Sequence, residues 1–226
     1  MTTSENQFDE LNNLGTEALE KKSRKELVGY IEKLRNKVEE LESYQLISKR
    51  VQHLERTLLG SLQYQRRESI EIHNLPETIS DDNLEQTCLD ILDDIGCGKI
   101  KKMRVHACHR MKNRKKTIIR FVTRKHADSA LHNRKKLKEL DKEKYGLDDN
   151  IYINESLCRP MEFLAYKVRR AKKNGQIESY NIWKGRLSIK INDIKHSISH
   201  IDDLIILGLA EDDDRDSFFE PLTRNL

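Results

Sequence analysis

Leu27, Ile31, Leu34, Val38 and Leu41 recur at alternating spacings of four and three residues, with Glu, Lys and Arg between them and no proline. That period places one apolar seam along a helix whose other faces are charged, which excludes a strand and predicts a coiled coil. Strict heptads would next put Gln45 and Ser48 in the seam, yet apolar residues return at Tyr44, Ile47, Val51, Leu54 and Leu58. The phase moves by one residue, so the coil is expected to be overwound or interrupted near 42–48. Across residues 27–62 such a helix is ~54 Å long at ~1.5 Å per residue. An amphipathic helix lying on its own domain is the plainer alternative; the heptad spacing and flanking charges favour a stalk.

β-branched Ile31, Val38 and Val51 at the first seam position, with Leu34, Leu41 and Leu54 at the second, suit two strands. Against this, RVQHLE, Arg50 to Glu55, resembles the short Arg-apolar-x-x-apolar-Glu motif of three-stranded coils. There the arginine stem lies over the seam and its head reaches the glutamate of a neighbouring helix. A homotrimer is expected, with a dimer as the alternative.

A stalk of this kind agrees with the composition: 36% apolar and 35% charged residues cannot build one core through 226 residues. The net charge of +4 is unevenly distributed. Residues 1–66 are balanced and 67–98 are acidic, whereas 99–200 carry 28 Lys/Arg against 10 Asp/Glu, an excess of 18 positive charges. Residues 201–226 are acidic again. A polyanion is the partner such a basic block would meet, and an acidic tail beside it is a candidate intramolecular competitor.

Cys88, Cys97, Cys108 and Cys158 fall at irregular spacings without a CxxC pair, so neither a zinc site nor a disulfide framework is expected, and no metal or other cofactor. No apolar run reaches the roughly 18 residues of a membrane span, and the polar, acidic N-terminus is unlike a signal peptide. We expect a reduced, intracellular protein, cytoplasmic with access to the nucleus through its NRKK runs.

Five zones follow: a disordered N-terminus (1–24), the coiled coil (25–66), an alternating strand and helix region (67–155), a small C-terminal domain (156–208) and an acidic tail (209–226). In the third zone, SIEIHNL (69–75) alternates and stops at Pro76, reading as a strand. Ser80 and Asp81 cap a helix that ends at Gly96. Strands follow within 100–111 and at 117–122, then a helix over about 126–140 and a strand at 150–154. The order β-α-β-β-α-β is the ferredoxin-like arrangement of RNA-recognition motifs. The fourth zone reads as a helix ending at Asn174 and Gly175, a hairpin of 177–183 and 186–191 turning at Lys184 and Gly185, and a helix near 197–208. The fold class is therefore α+β: a coiled coil, a degenerate RNA-recognition-motif-like domain and a small α/β domain.

The degeneracy is chemical. IEIHNL has the spacing of the short recognition-motif signature, but Glu71 replaces its aromatic, and the third strand offers Lys116, Ile118 and Arg120 instead of glycine and aromatics. With Ile119 and Phe121 turned to the helices, the open sheet face presents Glu71, His73, Ile118 and Arg120, and no aromatic platform is expected there. Binding then rests on phosphate contacts, which confer affinity with little sequence reading. The candidates are Arg104, His109, Arg110, Lys112, Arg114, Lys115, Lys116 and Arg120 on the second and third strands and their loop; Arg134, Lys135 and Lys136 late in the second helix; and Arg159, Lys167, Arg169, Arg170, Lys172, Lys173, Lys184 and Arg186 in the C-terminal domain. Trp183 can stack a base or pack between hairpin and helix.

The succession CHRM, TIIRFVTRKHADSALHNRKKLK, DDNIYINESL, a basic helix and NIWKGRLSIKIND resembles the first-open-reading-frame RNA-binding protein of LINE-type retrotransposons. It is also similar to the related baculovirus few-polyhedra protein. The resemblance covers roughly residues 25–205. It implies a homotrimer that coats single-stranded RNA as a nucleic-acid chaperone within ribonucleoprotein particles, the strand lying between the middle and C-terminal domains, with single-stranded DNA as a second ligand. The resemblance carries the family's basic loop onto Lys112 to Lys116, its strand arginine motif onto His109 and Arg110, and its post-helix arginine onto Arg134. Where the family carries an arginine early in the C-terminal helix this chain has Met161 and Glu162, with Arg159 nearby.

An enzyme is not expected. GCGK, Gly96 to Lys99, lacks the earlier glycine and the following Ser/Thr of a phosphate-binding loop. Asp81 with Asp82, and the run Asp212 to Asp214, read as a helix cap and an acidic tail rather than metal ligands. A coiled-coil adaptor without RNA binding is the remaining rival, and it would not need the basic block.

Overall fold

The computed structural model describes residues 23–111 and 116–223, which divide into two units at Glu55/Arg56. Lys112, Arg114 and Lys115, and nearly all of the expected disordered N-terminus, lie outside the described residues. The protein is α+β. Among the described residues, no helix is long and apolar enough to cross a membrane.

The first unit is the leading part of one helix, α1 (Arg24–Gln65). Its start is written in Ser23 and Glu26, which form a reciprocal capping box: Ser23 N donates to Glu26 Oε2 (2.8 Å) and Glu26 N to Ser23 Oγ (3.4 Å). The helix runs unbroken through 42–48, since a phase shift of one residue rotates the apolar stripe without breaking backbone hydrogen bonds. Within the chain the seam side chains from Ile31 to Leu58 are exposed, from 46% at Leu34 and Val51 to 66% at Leu54, and Leu27 is half-buried. Arg35–Glu39 (3.5 Å) and Lys37–Glu40 (2.8 Å) pair along the surface.

The second unit begins with the last turns of α1. Leu59, rather than Leu58, enters a core, and Gln63 is buried. The unit then holds β1 (Ser69–His73), α2 (Asp81–Leu92), β2 (Val105–Arg110), β3 (Lys116–Phe121), α3 (Arg124–Asn133) and β4 (Tyr152–Glu155). Their sheet is antiparallel in the order β2-β3-β1-β4. Ile70, Ile72, Ile119, Phe121 and Ile153 alternate onto one face and pack with Leu84, Cys88, Ile91, Ala127 and Ala130 of α2 and α3. The second strand is shorter than expected because residues 102–104 form a helical turn instead, leaving Met103 exposed. α3 likewise ends at Asn133 and tightens into a turn over Arg134–Glu139.

A second core belongs to α4 (Arg159–Lys173), the sheet β5 (Ser179–Trp183), β6 (Arg186–Ile191) and β7 (Ile194–Ile198), and α5 (Ile201–Ile206) and α6 (Asp214–Thr223). Pro160 starts α4 where a missing N–H costs nothing. Lys184 (φ 53°) and Gly185 (φ 72°) form the expected two-residue turn. A second such turn at Asn192 and Asp193 creates β7, and Ile198 ends that strand instead of opening a helix. Within the acidic tail, residues 214–223 are helical and Phe218 is 0% exposed. Phe163, His200 and Phe219 surround its ring, so apolar burial holds the acidic segment down.

Candidate nucleic-acid interface

The two cores meet around a cleft of about 480 Å³ bounded by β1, β4, α4 and β5. Its walls are fixed by two connections. Glu155, at the end of β4, accepts hydrogen bonds from Lys184 N (2.6 Å) and Gly185 N (2.5 Å), clamping the hairpin turn to the first sheet. Gln63 donates to Ser156 O (3.0 Å) and accepts from Cys158 N (2.9 Å). A Cβ on Gly185 would stand 2.6 Å from Gln63 Cγ, so a glycine is needed where turn and helix approach.

Into this cleft the fold brings Arg134, Arg169, His73, Asn154, Tyr180 and Asn181. Two cations, two amides and a phenol 39% exposed give phosphate-pairing groups, base-edge partners and a stacking surface in one trough. The sequence reading identified the two arginines as candidates. It missed Tyr180 and both asparagines, although Tyr and Asn beside the hairpin strand in SYNIW were a usable signal. Register also puts an aromatic on the open face of the first sheet, against expectation: Tyr152 pairs with His73, on the side opposite the core.

The same face is less open than its sequence implies. Glu71 is buried, with Lys116 Nζ 3.3 Å from its carboxylate and 2.9 Å from Glu162. Burial pushes the Glu71 carboxyl up, but His73 and Lys116 outweigh it and hold the group below the usual carboxylate range. Burial in turn disfavours the Lys116 ammonium, and the two carboxylates overcome that and raise it. Lys116 is therefore already paired with two carboxylates of the protein.

Arg110 is committed more completely. Its side chain is 5% exposed, and its guanidinium donates to Leu75 O (3.3 Å), Pro76 O (2.6 Å) and Ile79 O (3.2 Å), tying down the loop between β1 and α2. Its side chain points to the core side of β2 because Arg110 pairs with the buried Thr117. Lys167 lies 2.5 Å from Asp214 of α6, and Lys172 donates to Glu178 O at 2.5 Å.

Arg104, His109, Arg120, Lys135, Lys136, Arg159, Arg170, Lys173, Lys184 and Arg186 are exposed. Arg120 sits 3.8 Å from Glu68, a loose pair. Arg159 lines a neighbouring recess of about 400 Å³ with Arg66 and Lys116. Trp183 is exposed under Lys184 Nζ, 5.8 Å from the ring, and lies outside the cleft lining. No protein-family model matches this chain, and no curated protein matches it in sequence.

Proposed function

We propose that this chain is a self-associating, non-enzymatic protein that binds single-stranded RNA and acts as a nucleic-acid chaperone, as its resemblance to retrotransposon first-open-reading-frame proteins implies. The cleft carrying Arg134 and Arg169 beside Tyr180 is the observation that bears most weight, because cations facing a stacking ring suit a single strand better than a duplex. The connectivity β-α-β-β-α-β with strand order β2-β3-β1-β4 supports a ferredoxin-like reading of the first sheet, and the exposed heptad seam supports self-association through α1. Because Glu71 and Lys116 neutralise one another at the sheet centre, the strand is assigned to the cleft and not to the middle of the sheet.

Binding of a fluorescent oligouridylate to the full chain tests this. Saturable binding that is lost on reversing Arg134 and Arg169 to Glu, with strand annealing that proceeds without ATP, is the expected result. Equal binding by that double variant removes the cleft, and a requirement for ATP or strand cleavage removes the non-enzymatic reading.

A further inference from the structure

Beyond the cleft, β4 is the edge of the first sheet. Ser156 N donates to Ser69 O, and with the register Glu71↔Asn154 and His73↔Tyr152 this makes 69, 71 and 73 the residues of β1 that bond to β4. Antiparallel pairing alternates, so Ile153 turns its N–H and C=O away from β1, toward the free edge. A groove of about 330 Å³ runs along that edge, within the ~300–1,000 Å³ range of small-molecule sites. Its apolar wall is Leu137 with the flank of β4; Tyr152, 53% exposed, stands on its rim; Lys135 and Lys138 of the turn after α3 face it. Arg134 and Asn154 line both this groove and the cleft, so the two adjoin.

Resting on the reading above, we infer that this groove holds one unstacked nucleotide of the strand lying in the cleft, its base on Tyr152 and its phosphate on Lys135 and Lys138. An aromatic ring, a free backbone donor and acceptor, and two cations are what a base with its phosphate requires. Among the described residues neither lysine has an ion-pair partner, unlike Lys116 and Lys167. An extended peptide would add to the same edge, but the short strand Tyr152–Glu155 gives it few outward bonds. Adjacency to the cleft at Arg134 and Asn154 favours the nucleotide.

The test uses the full chain and oligouridylates in which a single abasic nucleotide is moved along an otherwise constant strand. One position is expected to weaken binding by about tenfold, the scale of one base–aromatic stack. Tyr152→Ala is expected to lose the same factor with the intact strand and nothing further with that abasic strand, while Tyr152→Phe binds as the parent does. Lys135→Glu with Lys138→Glu weakens strands long enough to reach the groove and spares shorter ones. Because the abasic scan needs no variant, misfolding of a variant leaves it decisive. A flat scan with cleft binding intact overturns the inference, and so does an acidic extended peptide that occupies the groove without competing with RNA. Loss of the Arg134 and Arg169 dependence would overturn the cleft reading instead.

Discussion

Arg56 grips Asp203 with both terminal guanidinium nitrogens, at 3.0 and 2.8 Å, across 147 residues of sequence. Asp203 also accepts from Ser199 N (2.7 Å) and His200 N (3.0 Å), so one carboxylate caps α5 and anchors the last turns of α1. Burial pushes this carboxyl up, but the guanidinium and the two backbone N–H groups hold it below its ordinary value of 3.8. The stabilisation is therefore present in full above that value and fades as pH falls through the depressed one. Thermal unfolding should find Arg56→Ala less stable by about 1–2 kcal/mol at neutral pH, discounted for partial exposure, with the gap closing in strong acid.

Arg110→Ala should cost stability rather than RNA affinity. Removing the guanidinium leaves the carbonyls of Leu75, Pro76 and Ile79 without a buried donor, about 2–4 kcal/mol. Denaturant melts should shift strongly while the folded fraction binds RNA with unchanged salt dependence. A flattened salt slope at full stability would place Arg110 on the RNA.

Arg134→Glu and Arg169→Glu should do the reverse. With roughly six phosphates neutralised per protomer, log affinity falls against log salt with a slope of about −4, and each reversal should flatten it by about one or more. Anisotropy titrations across salt concentrations measure this, with melting unchanged as the control.

The packed acidic segment makes deletion and neutralisation different experiments. Phe218→Ala, like removal of residues 209–226, should destabilise the C-terminal core by about 3–5 kcal/mol. Asp212→Asn with Asp213→Asn, both at exposed positions, should leave melting unchanged and tighten RNA binding at low salt.

Sedimentation equilibrium of the full chain should report three copies. Leu34→Asn with Leu41→Asn should shift it to monomer, since polar groups replace the seam, and Arg50→Ala should weaken a trimer more than a dimer. A dimeric parent would mean that the β-branched and leucine pattern outweighs RVQHLE.

The sequence by itself determined what depends on near neighbours. Heptad spacing marked α1, alternation at 69–75 and the apolar run at 117–122 the central strands, and Lys184–Gly185 the hairpin, because each is written in the pattern of side chains along its own segment. It also identified Arg134 and Arg169, two cations in a basic block. Only the tertiary structure decided which cations remain available. Arg110, Lys116 and Lys167 look in the sequence like their neighbours, and each is consumed by a partner more than 30 residues away. The tail followed the same logic: its charge was legible, but the pocket that buries Phe218 is assembled from α4 and His200. Tyr152 and Tyr180 fall inside the expected strands 150–154 and 177–183, and only register and packing set one on a sheet edge and the other in a cleft, because exposure is a property of what lies opposite in space.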